Sequence, residues 1–223
     1  MRYLLVIPIA LSLCLACGED PPAEEDAAAA APAESEVEDE RLELPAELDG
    51  ALAGRTIVVC VGSHFYDPEF YDVRRLLLAS GARLLVASTG GRLFGLGSSE
   101  ILVDLQLEEL DETAEYDALY LMQSRGMERL TKLESVHRLV RRTRESGALV
   151  AASGIAVEAL ARAGVLDGIR TAPYGAKRQL CEDSGAVIVE EDDVVLDQGV
   201  GTATFWPQGG RLALELIAAL AAS

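Results

Sequence analysis

Stretches of consecutive apolar residues alternate with stretches of helical spacing from Ala51 onward. Residues 56–61 form a continuous, mostly β-branched stretch, which is typical of a strand that is buried on both faces of a sheet. The same criterion predicts further strands over residues 83–88, 118–122, 148–153, 186–190, 194–197 and 200–204.

The segments between these strands carry the signals of helices. Asp67 in the N-cap position, Pro68 as the first helical residue and Glu69 in an acidic first turn predict a helix start. Gly81 predicts the end of that helix. Apolar residues at helical spacing predict further helices over residues 133–146, 155–163 and 208–222.

Strands that alternate with helices indicate an α/β fold, in which a mostly parallel sheet is covered by helices on both faces. Ligands bind such sheets beyond the carboxyl ends of the strands. The candidate site is therefore the group of loops at residues 62–68, 123–126, 153–155 and 202–208.

The first residues have the pattern of an export signal. Met1-Arg2 precedes apolar residues 3–15, a stretch too short to span a bilayer but typical of a secretory signal peptide. Cys17 directly follows the small Ala16 at the end of this stretch, which resembles a bacterial lipobox. The resemblance implies that Cys17 becomes the lipidated first residue of the mature protein, although Cys14 stands where the lipobox usually has Leu. Ordinary signal cleavage with a soluble product is the alternative.

Residues 18–50 are rich in Ala, Pro and Glu and are strongly acidic. They contain 13 acidic residues and one Arg, whereas the whole chain has a net charge of −18. Such a composition buries too little apolar surface to fold alone. We interpret residues 18–50 as a disordered tether and residues 51–223 as the folded domain.

Composition excludes several classes of function. No segment is strongly basic and only 5% of the residues are aromatic, which argues against a nucleic-acid partner. The four cysteines form no CxxC pair and the two histidines are isolated, so no zinc pattern is present and no metal or cofactor is predicted.

Several segments of the domain resemble the ThiJ/PfpI family. They are Asp67-Pro68-Glu69, Ala79-Ser80-Gly81-Ala82, Tyr116-Asp117-Ala118-Leu119, the segment 163–168 and the segment 197–207, and they follow the family's order over nearly all of residues 55–220. The resemblance implies a flavodoxin-like three-layer sandwich of the class I glutamine amidotransferase-like type, commonly dimeric. Members of the family include proteases, glyoxalases or deglycases, chaperone-like proteins and regulators.

The cysteine on which the family's chemistry depends is missing. In the family it lies at a strained strand-to-helix elbow, where the backbone and the helix dipole favour the thiolate. The matching position here is Gly154. The family's Pro-Gly-Gly loop is replaced by Met122-Gln123-Ser124, and a common histidine is replaced by Ala172. Glu69, which in the family hydrogen-bonds the cysteine, is retained.

Two other side chains, Ser153 and Cys60, are candidate substitutes for this cysteine. Ser153 precedes the elbow but has no evident base, and Cys60 lies in a buried strand where a small apolar residue is expected. A disulfide between Cys60 and Cys181 is left open by the sequence. His64 lies in the loop after the first strand, where a pair with Glu69 suits acid–base catalysis.

The sequence therefore predicts a family member without the nucleophile, acting as a non-catalytic binding module for a small molecule or an envelope protein. The expected ligand-binding residues are Glu69, His64, Gly154, Ile155 and Trp206, because removal of the elbow side chain is expected to leave space for a small polar ligand. The alternative is a hydrolase or a glyoxalase/deglycase-like enzyme with a relocated mechanism that uses Glu69 and His64. A third hypothesis is an envelope structural protein whose dimer surface is its function.

The expected location is the periplasmic side of the cell envelope, with the lipid anchor as the contact with the membrane. Gly18 follows Cys17 in place of the Asp that is linked to inner-membrane retention in some bacteria. This favours the outer membrane in a Gram-negative organism. A homodimer is expected from the family resemblance alone.

Overall fold

The structure is a computed structural model that describes residues 42–108 and 115–223. The predicted signal peptide, its Cys17 and most of the predicted tether lie outside the described residues. Within them, no helix combines the length and the apolar composition that crossing a membrane requires.

Packing of the chain begins before the predicted domain boundary at residue 51. A 3₁₀ turn over Ala46–Leu48 precedes the first strand, and Leu44 and Leu48 pack against a hydrophobic core. The compact unit therefore begins before residue 51, and these two leucines bury apolar surface within an otherwise acidic segment.

Strands and helices alternate along the described part of the chain. The strands are β1 (Thr56–Cys60), β2 (Arg83–Ser88), β3 (Arg92–Phe94), β4 (Glu100–Leu102), β5 (Leu105–Gln106), β6 (Ala118–Leu121), β7 (Leu149–Ser153), β8 (Arg170–Thr171), β9 (Val187–Ile188), β10 (Val194–Asp197) and β11 (Val200–Ala203). The helices are α1 (Asp67–Ala79), α2 (Met127–Leu130), α3 (Glu134–Glu145), α4 (Val157–Ala163), α5 (Arg178–Asp183) and α6 (Gly209–Ala221).

Seven of these strands form one sheet in the order β10-β11-β7-β6-β1-β2-β5. Strand β10 runs antiparallel to β11, and the other neighbours are parallel. Strand β1 lies inside the sheet, where Val59 pairs with Val86 on one side and with Tyr120 on the other. The predicted mostly parallel sheet is confirmed.

Helices cover both faces of the sheet, because successive strand residues point to opposite sides. Ile57 and Val59 of β1 enter a core shared with α1 and α6. Val58 and Cys60 enter the opposite core, which contains apolar residues of α3, α4 and α5. This arrangement is the predicted three-layer sandwich.

The role predicted for Asp67 is wrong, because α1 begins at Asp67 itself, one residue before the predicted first helical residue Pro68. The N-cap residue of α1 is Tyr66, and no side chain caps the helix. The Asp67 carboxylate instead accepts hydrogen bonds from the Gly97 N–H, at 2.7 Å, and from the Ser99 hydroxyl. These bonds tie α1 to the loop of the β3–β4 hairpin. Burial raises the pKa of Asp67, but the hydrogen bonds outweigh it and leave the pKa below its ordinary value.

Cys60 and Cys181 both carry free thiols, which settles the question of pairing that the sequence leaves open. Burial raises the pKa of each thiol to about 12, and the charge of Glu182 adds to the effect at Cys181. Because the thiolate is the reactive form, both cysteines are inert core residues in the folded protein.

Candidate functional site

The carboxyl edge of the sheet brings the end of β7 against the first turn of α1. Strand β7 ends at Ser153, and Gly154 opens a 3₁₀ turn, Gly154–Ala156, that leads into α4. Gly154 has φ = +51°, a left-handed conformation that residues with side chains rarely adopt. The strained elbow expected from the family resemblance is present without a side chain on it.

The space beside Gly154 is filled by the side chain of Gln123. A Cβ atom added to Gly154 would lie 1.6 Å from Gln123 Oε1 and 2.4 Å from its Cδ. Gln123 directly follows β6, which pairs with β7, so its side chain reaches the elbow from the neighbouring strand. The expectation that the missing side chain leaves open space is therefore wrong.

Ser153 and Glu69 form a buried hydrogen-bonded pair beneath the elbow. The Ser153 hydroxyl donates to Glu69 Oε1 at 2.5 Å and accepts the backbone N–H of Gln123 at 2.9 Å. Ser153 is fully buried and Glu69 is 2% exposed. The alternation of side chains along β7 explains this pair. Ser153 points to the sheet face that α1 covers, and Glu69 lies in the first turn of α1.

Helix α6 closes the other side of the Glu69 carboxyl group. A Cβ atom on Gly209, the first residue of α6, would lie 2.5 Å from Glu69 Oε1. The fully buried Tyr120 hydroxyl donates to the Gly209 carbonyl at 3.1 Å. Glu69 is thus enclosed by α1, β7 and α6.

Enclosure determines the protonation of Glu69. Burial raises the pKa of Glu69 to about 8, and the hydrogen bond from Ser153, together with the nearby Tyr120 hydroxyl, offsets only part of that effect. Glu69 is therefore largely neutral at pH 7. Among the described residues, neither its second oxygen, Oε2, nor Gln123 Oε1 has a hydrogen-bond partner, although both atoms are buried.

The structure does not bring His64 and Glu69 together as an acid–base pair. His64 is exposed, with φ = +58°, and its backbone N–H donates to the Phe94 carbonyl at 2.5 Å. No hydrogen bond or ion pair between His64 and Glu69 occurs within the described residues, and Glu69 is shielded from solvent. The direct His64–Glu69 contact expected for a relocated mechanism is therefore not among the contacts of the described residues.

Aromatic side chains cluster where α1 and α6 begin. Trp206 stacks on Tyr66 with ring centroids 5.4 Å apart and an interplanar angle of 6°. Phe205 stacks on Tyr174 with centroids 5.8 Å apart. All four rings are partly exposed, as is Ile155 on the first turn after the elbow. Sequence reasoning identified Trp206 but missed Tyr66 and Tyr174.

Sequence reasoning also missed the role of Gln123. Its signal is Met122-Gln123-Ser124 in place of the Pro-Gly-Gly loop, which puts a long side chain beside an elbow that carries none. The sequence analysis treats these two features separately, whereas in the structure the Gln123 side chain fills the volume beside Gly154. Ser124 stabilises the adjoining loops, because its Oγ accepts the N–H groups of Gly62 and Met127.

The raised pKa of Glu69 predicts a specific dependence of stability on pH. The folded state holds a proton that the unfolded state releases above about pH 4.5, so rising pH favours unfolding until about pH 8. The loss is on the order of 1 kcal/mol per pH unit across this window. We expect Glu69→Gln to remove this slope, measured as the free energy of urea unfolding at pH 5, 6, 7 and 8. The exposed control Glu215→Gln should keep it, and equal slopes for the parent and Glu69→Gln would contradict the assignment.

The contact between Gln123 and Gly154 predicts that a cysteine at the elbow requires two substitutions. Gly154→Cys alone should destabilise the protein by about 2–4 kcal/mol through steric overlap and left-handed strain. Gly164→Cys is the matched control, because Gly164 has φ = +72° but open space around its Cβ position. Adding Gln123→Gly to Gly154→Cys should recover the overlap part of the loss. Failure of Gln123→Gly to improve the unfolding free energy would show that Gln123 does not block the position.

The double variant should also expose a thiol that iodoacetamide alkylates in the folded protein. In the unit of residues 41–223, which lacks Cys14 and Cys17, Cys60 and Cys181 should remain unlabelled until urea unfolds the chain, so mass spectrometry can count the reactive site directly. Labelling of the parent under native conditions would contradict the burial of these two thiols.

Comparisons with known proteins agree on the fold. The ThiJ/PfpI domain protein from Brachyspira murdochii is 22% identical, with a TM-score of 0.71 over 77% of this chain and 98% of that chain. Drosophila melanogaster DJ-1beta is 22% identical, with a TM-score of 0.68 over 76% of this chain and 91% of that chain. No curated protein sequence matches the chain.

The match to a family model covers the described unit from β1 to α6. The model of the DJ-1/PfpI family matches residues 55–219, a range that includes Glu69, Gln123 and the elbow at Gly154. This chain belongs to the DJ-1/PfpI family.

Proposed function

We propose that this family member is a non-catalytic binding module, exported and lipid-anchored at the cell envelope. The observation that carries the proposal is the closed elbow: Gly154 takes the position of the nucleophile, and the Gln123 carboxamide fills the space beside it. Ser153 offers no substitute, because its hydroxyl is fully buried and engaged with Glu69 and with the Gln123 N–H. Such an arrangement presents no attacking atom to a substrate.

The proposed binding surface lies at the mouth of the elbow. We assign Trp206, His64 and Ile155 to this surface, together with Gly154 and Glu69. Partly exposed aromatic rings such as Trp206 supply large contact areas with little loss of side-chain freedom, which suits a small molecule or another envelope protein. A homodimer is a further part of the proposal, and the exposed Phe94 and Leu102 of the β3–β4 hairpin support it.

The proposed location rests on the amino-terminal sequence. The signal peptide directs export, Cys17 carries the lipid, and the acidic residues that follow hold the domain away from the bilayer on its periplasmic side, at the outer membrane in a Gram-negative organism. Repulsion among the like charges of this segment favours an extended spacer.

The lipid anchor can be tested with two cysteines that lie three residues apart. We expect the full chain, expressed in a Gram-negative host with an alkyne-tagged palmitate, to incorporate the label. Cys17→Ser should abolish the labelling, whereas the control Cys14→Ser should keep it. An unlabelled parent released as a soluble product would indicate ordinary signal cleavage and overturn the anchor.

Absence of catalysis is tested with the unit of residues 41–223, which contains the whole sheet and both cores. The substrates are glyoxals, esters and peptides, and we expect no turnover above buffer by the parent or by Glu69→Gln. Turnover by the parent that Glu69→Gln abolishes would overturn the binding-module proposal. Binding is followed by fluorescence, because Trp206 is the only tryptophan of the chain, and Trp206→Phe is the control that should lose the signal.

A further inference from the structure

Four aromatic rings, Tyr66, Tyr174, Phe205 and Trp206, form one continuous aromatic cluster. Phe205 joins the two stacked pairs, because its ring centroid lies 6.3 Å from that of Tyr66 and 6.2 Å from that of Trp206. The interplanar angles at these two contacts are 58° and 52°, so the stacks present differently inclined ring planes. Because all four rings are partly exposed, their packing on one another leaves aromatic surface for a partner.

An acidic loop, residues 190–193, adjoins this cluster. Its sequence is Glu-Glu-Asp-Asp, and all four residues are exposed. Asp193 fixes the loop beside the rings, since its carboxylate accepts the Thr204 hydroxyl at 2.8 Å and its carbonyl accepts the Thr204 N–H at 2.9 Å. Thr204 directly precedes Phe205, so carboxylates and aromatic rings belong to one surface.

The negative charge of the acidic loop is only partly neutralised. Arg178 donates from Nη2 to Glu190 at 2.5 Å and from Nε to Glu182 at 2.9 Å. Within the described residues, neither Glu191 nor Asp192 has an ion pair. The loop therefore already holds one guanidinium group and retains carboxylates for another.

A recess of about 200 Å³ is lined both by the acidic loop and by the segment that carries Tyr174. Pro173 and Gly175, the two neighbours of Tyr174, contribute to its wall, as do Asp192 and Arg178. Pockets for drug-sized ligands typically have volumes of about 300–1,000 Å³. The recess is smaller, and its size suits a single side chain presented from outside.

Aromatic rings and carboxylates together favour a guanidinium group. This group is planar, stacks on aromatic faces and pairs with carboxylates through two parallel hydrogen bonds. A lysine ammonium group is a strongly hydrated point charge that matches both surfaces less well. An anionic partner would be repelled by the acidic loop.

We propose that the aromatic cluster and the acidic loop together bind arginine side chains of an extended basic segment in a partner protein. The acidic loop supplies the charge that attracts the segment, and the rings supply the faces on which a guanidinium group stacks. This inference rests on the proposed binding function and names the partner for the surface that contains Trp206.

The test uses capped peptides in which three identical residues are separated by glycines. These residues are arginine, its neutral isostere citrulline, or lysine. Binding is followed by the fluorescence of Trp206 in the unit of residues 41–223, because the acidic residues before 41 would attract basic peptides themselves. We expect the arginine peptide to bind at about 0.1 M salt and to weaken at about 1 M, where the screening length falls from about 10 Å to about 3 Å.

Charge variants locate the binding site. Glu191→Gln combined with Asp192→Asn should weaken the arginine peptide at least about fivefold, because two unpaired carboxylates are lost. The matched control is Asp49→Asn combined with Glu145→Gln, which removes the same charge from two other exposed positions. This control should bind the peptide like the parent.

A ring variant tests the aromatic cluster separately. Tyr174→Leu should weaken the arginine peptide about threefold, because an exposed cation–π contact is lost. Trp206 remains as the reporter in this variant. Because Tyr174 is partly exposed, we expect the variant to fold, and its circular dichroism verifies this.

Each comparison can overturn a different part of the proposal. Equal affinity for the arginine and citrulline peptides would overturn the cationic partner, and equal affinity for the lysine peptide would overturn the choice of arginine. Unchanged affinity after loss of the two carboxylates, or after Tyr174→Leu, would overturn the role of the acidic loop or of the aromatic cluster. A fluorescence change on raising the protein concentration alone would overturn the partner by assigning the surface to a second copy of this chain.

The proposed function and this inference fail separately. Absence of binding by all three peptides would overturn the inference, whereas the turnover assays that test the binding module would be unaffected.

Discussion

The hydrogen bond from Ser153 to Glu69 fixes the geometry of the whole carboxyl edge. It joins the last residue of β7 to the first turn of α1, and the N–H of Gln123 brings the end of β6 to the same hydroxyl. Three elements from different parts of the chain therefore meet at one oxygen. Because all the groups are buried, loss of any one leaves the others unpaired in a medium without water.

Long elements and the position of the elbow were predictable from the sequence, because each has a strong local signal. The β-branched stretch that forms β1 is recognisable in isolation, and the resemblance to the family identifies Gly154 as the elbow. The β3–β4 hairpin was missed, since strands of three residues have too few positions to establish a period. The early start of the unit was missed as well, because Leu44 and Leu48 stand in an acidic segment whose composition suggests no core.

The site was less predictable than the fold for a physical reason. Glu69 and Gly154 could be placed by resemblance, but the resemblance says nothing about which side chain fills a vacated volume. The residue that fills this volume is determined by the direction in which the Gln123 side chain extends from the end of β6 towards β7. This direction is a property of the tertiary structure. The role of Asp67 shows the same limit, because its partners Gly97 and Ser99 are distant in sequence. The local sequence pattern predicts that Asp67 is an N-cap, whereas in the structure its carboxylate accepts hydrogen bonds from Gly97 and Ser99.

The complementary volumes of Gly154 and Gln123 impose an order on substitutions at these two positions. A cysteine introduced at 154 while Gln123 is present meets an occupied position, so that single change is disfavoured. The reverse order is open, because a small residue at 123 first leaves a cavity, which proteins tolerate better than overlap with a rigid neighbour. A side chain at the elbow is thus accessible through only one of the two single-substitution intermediates.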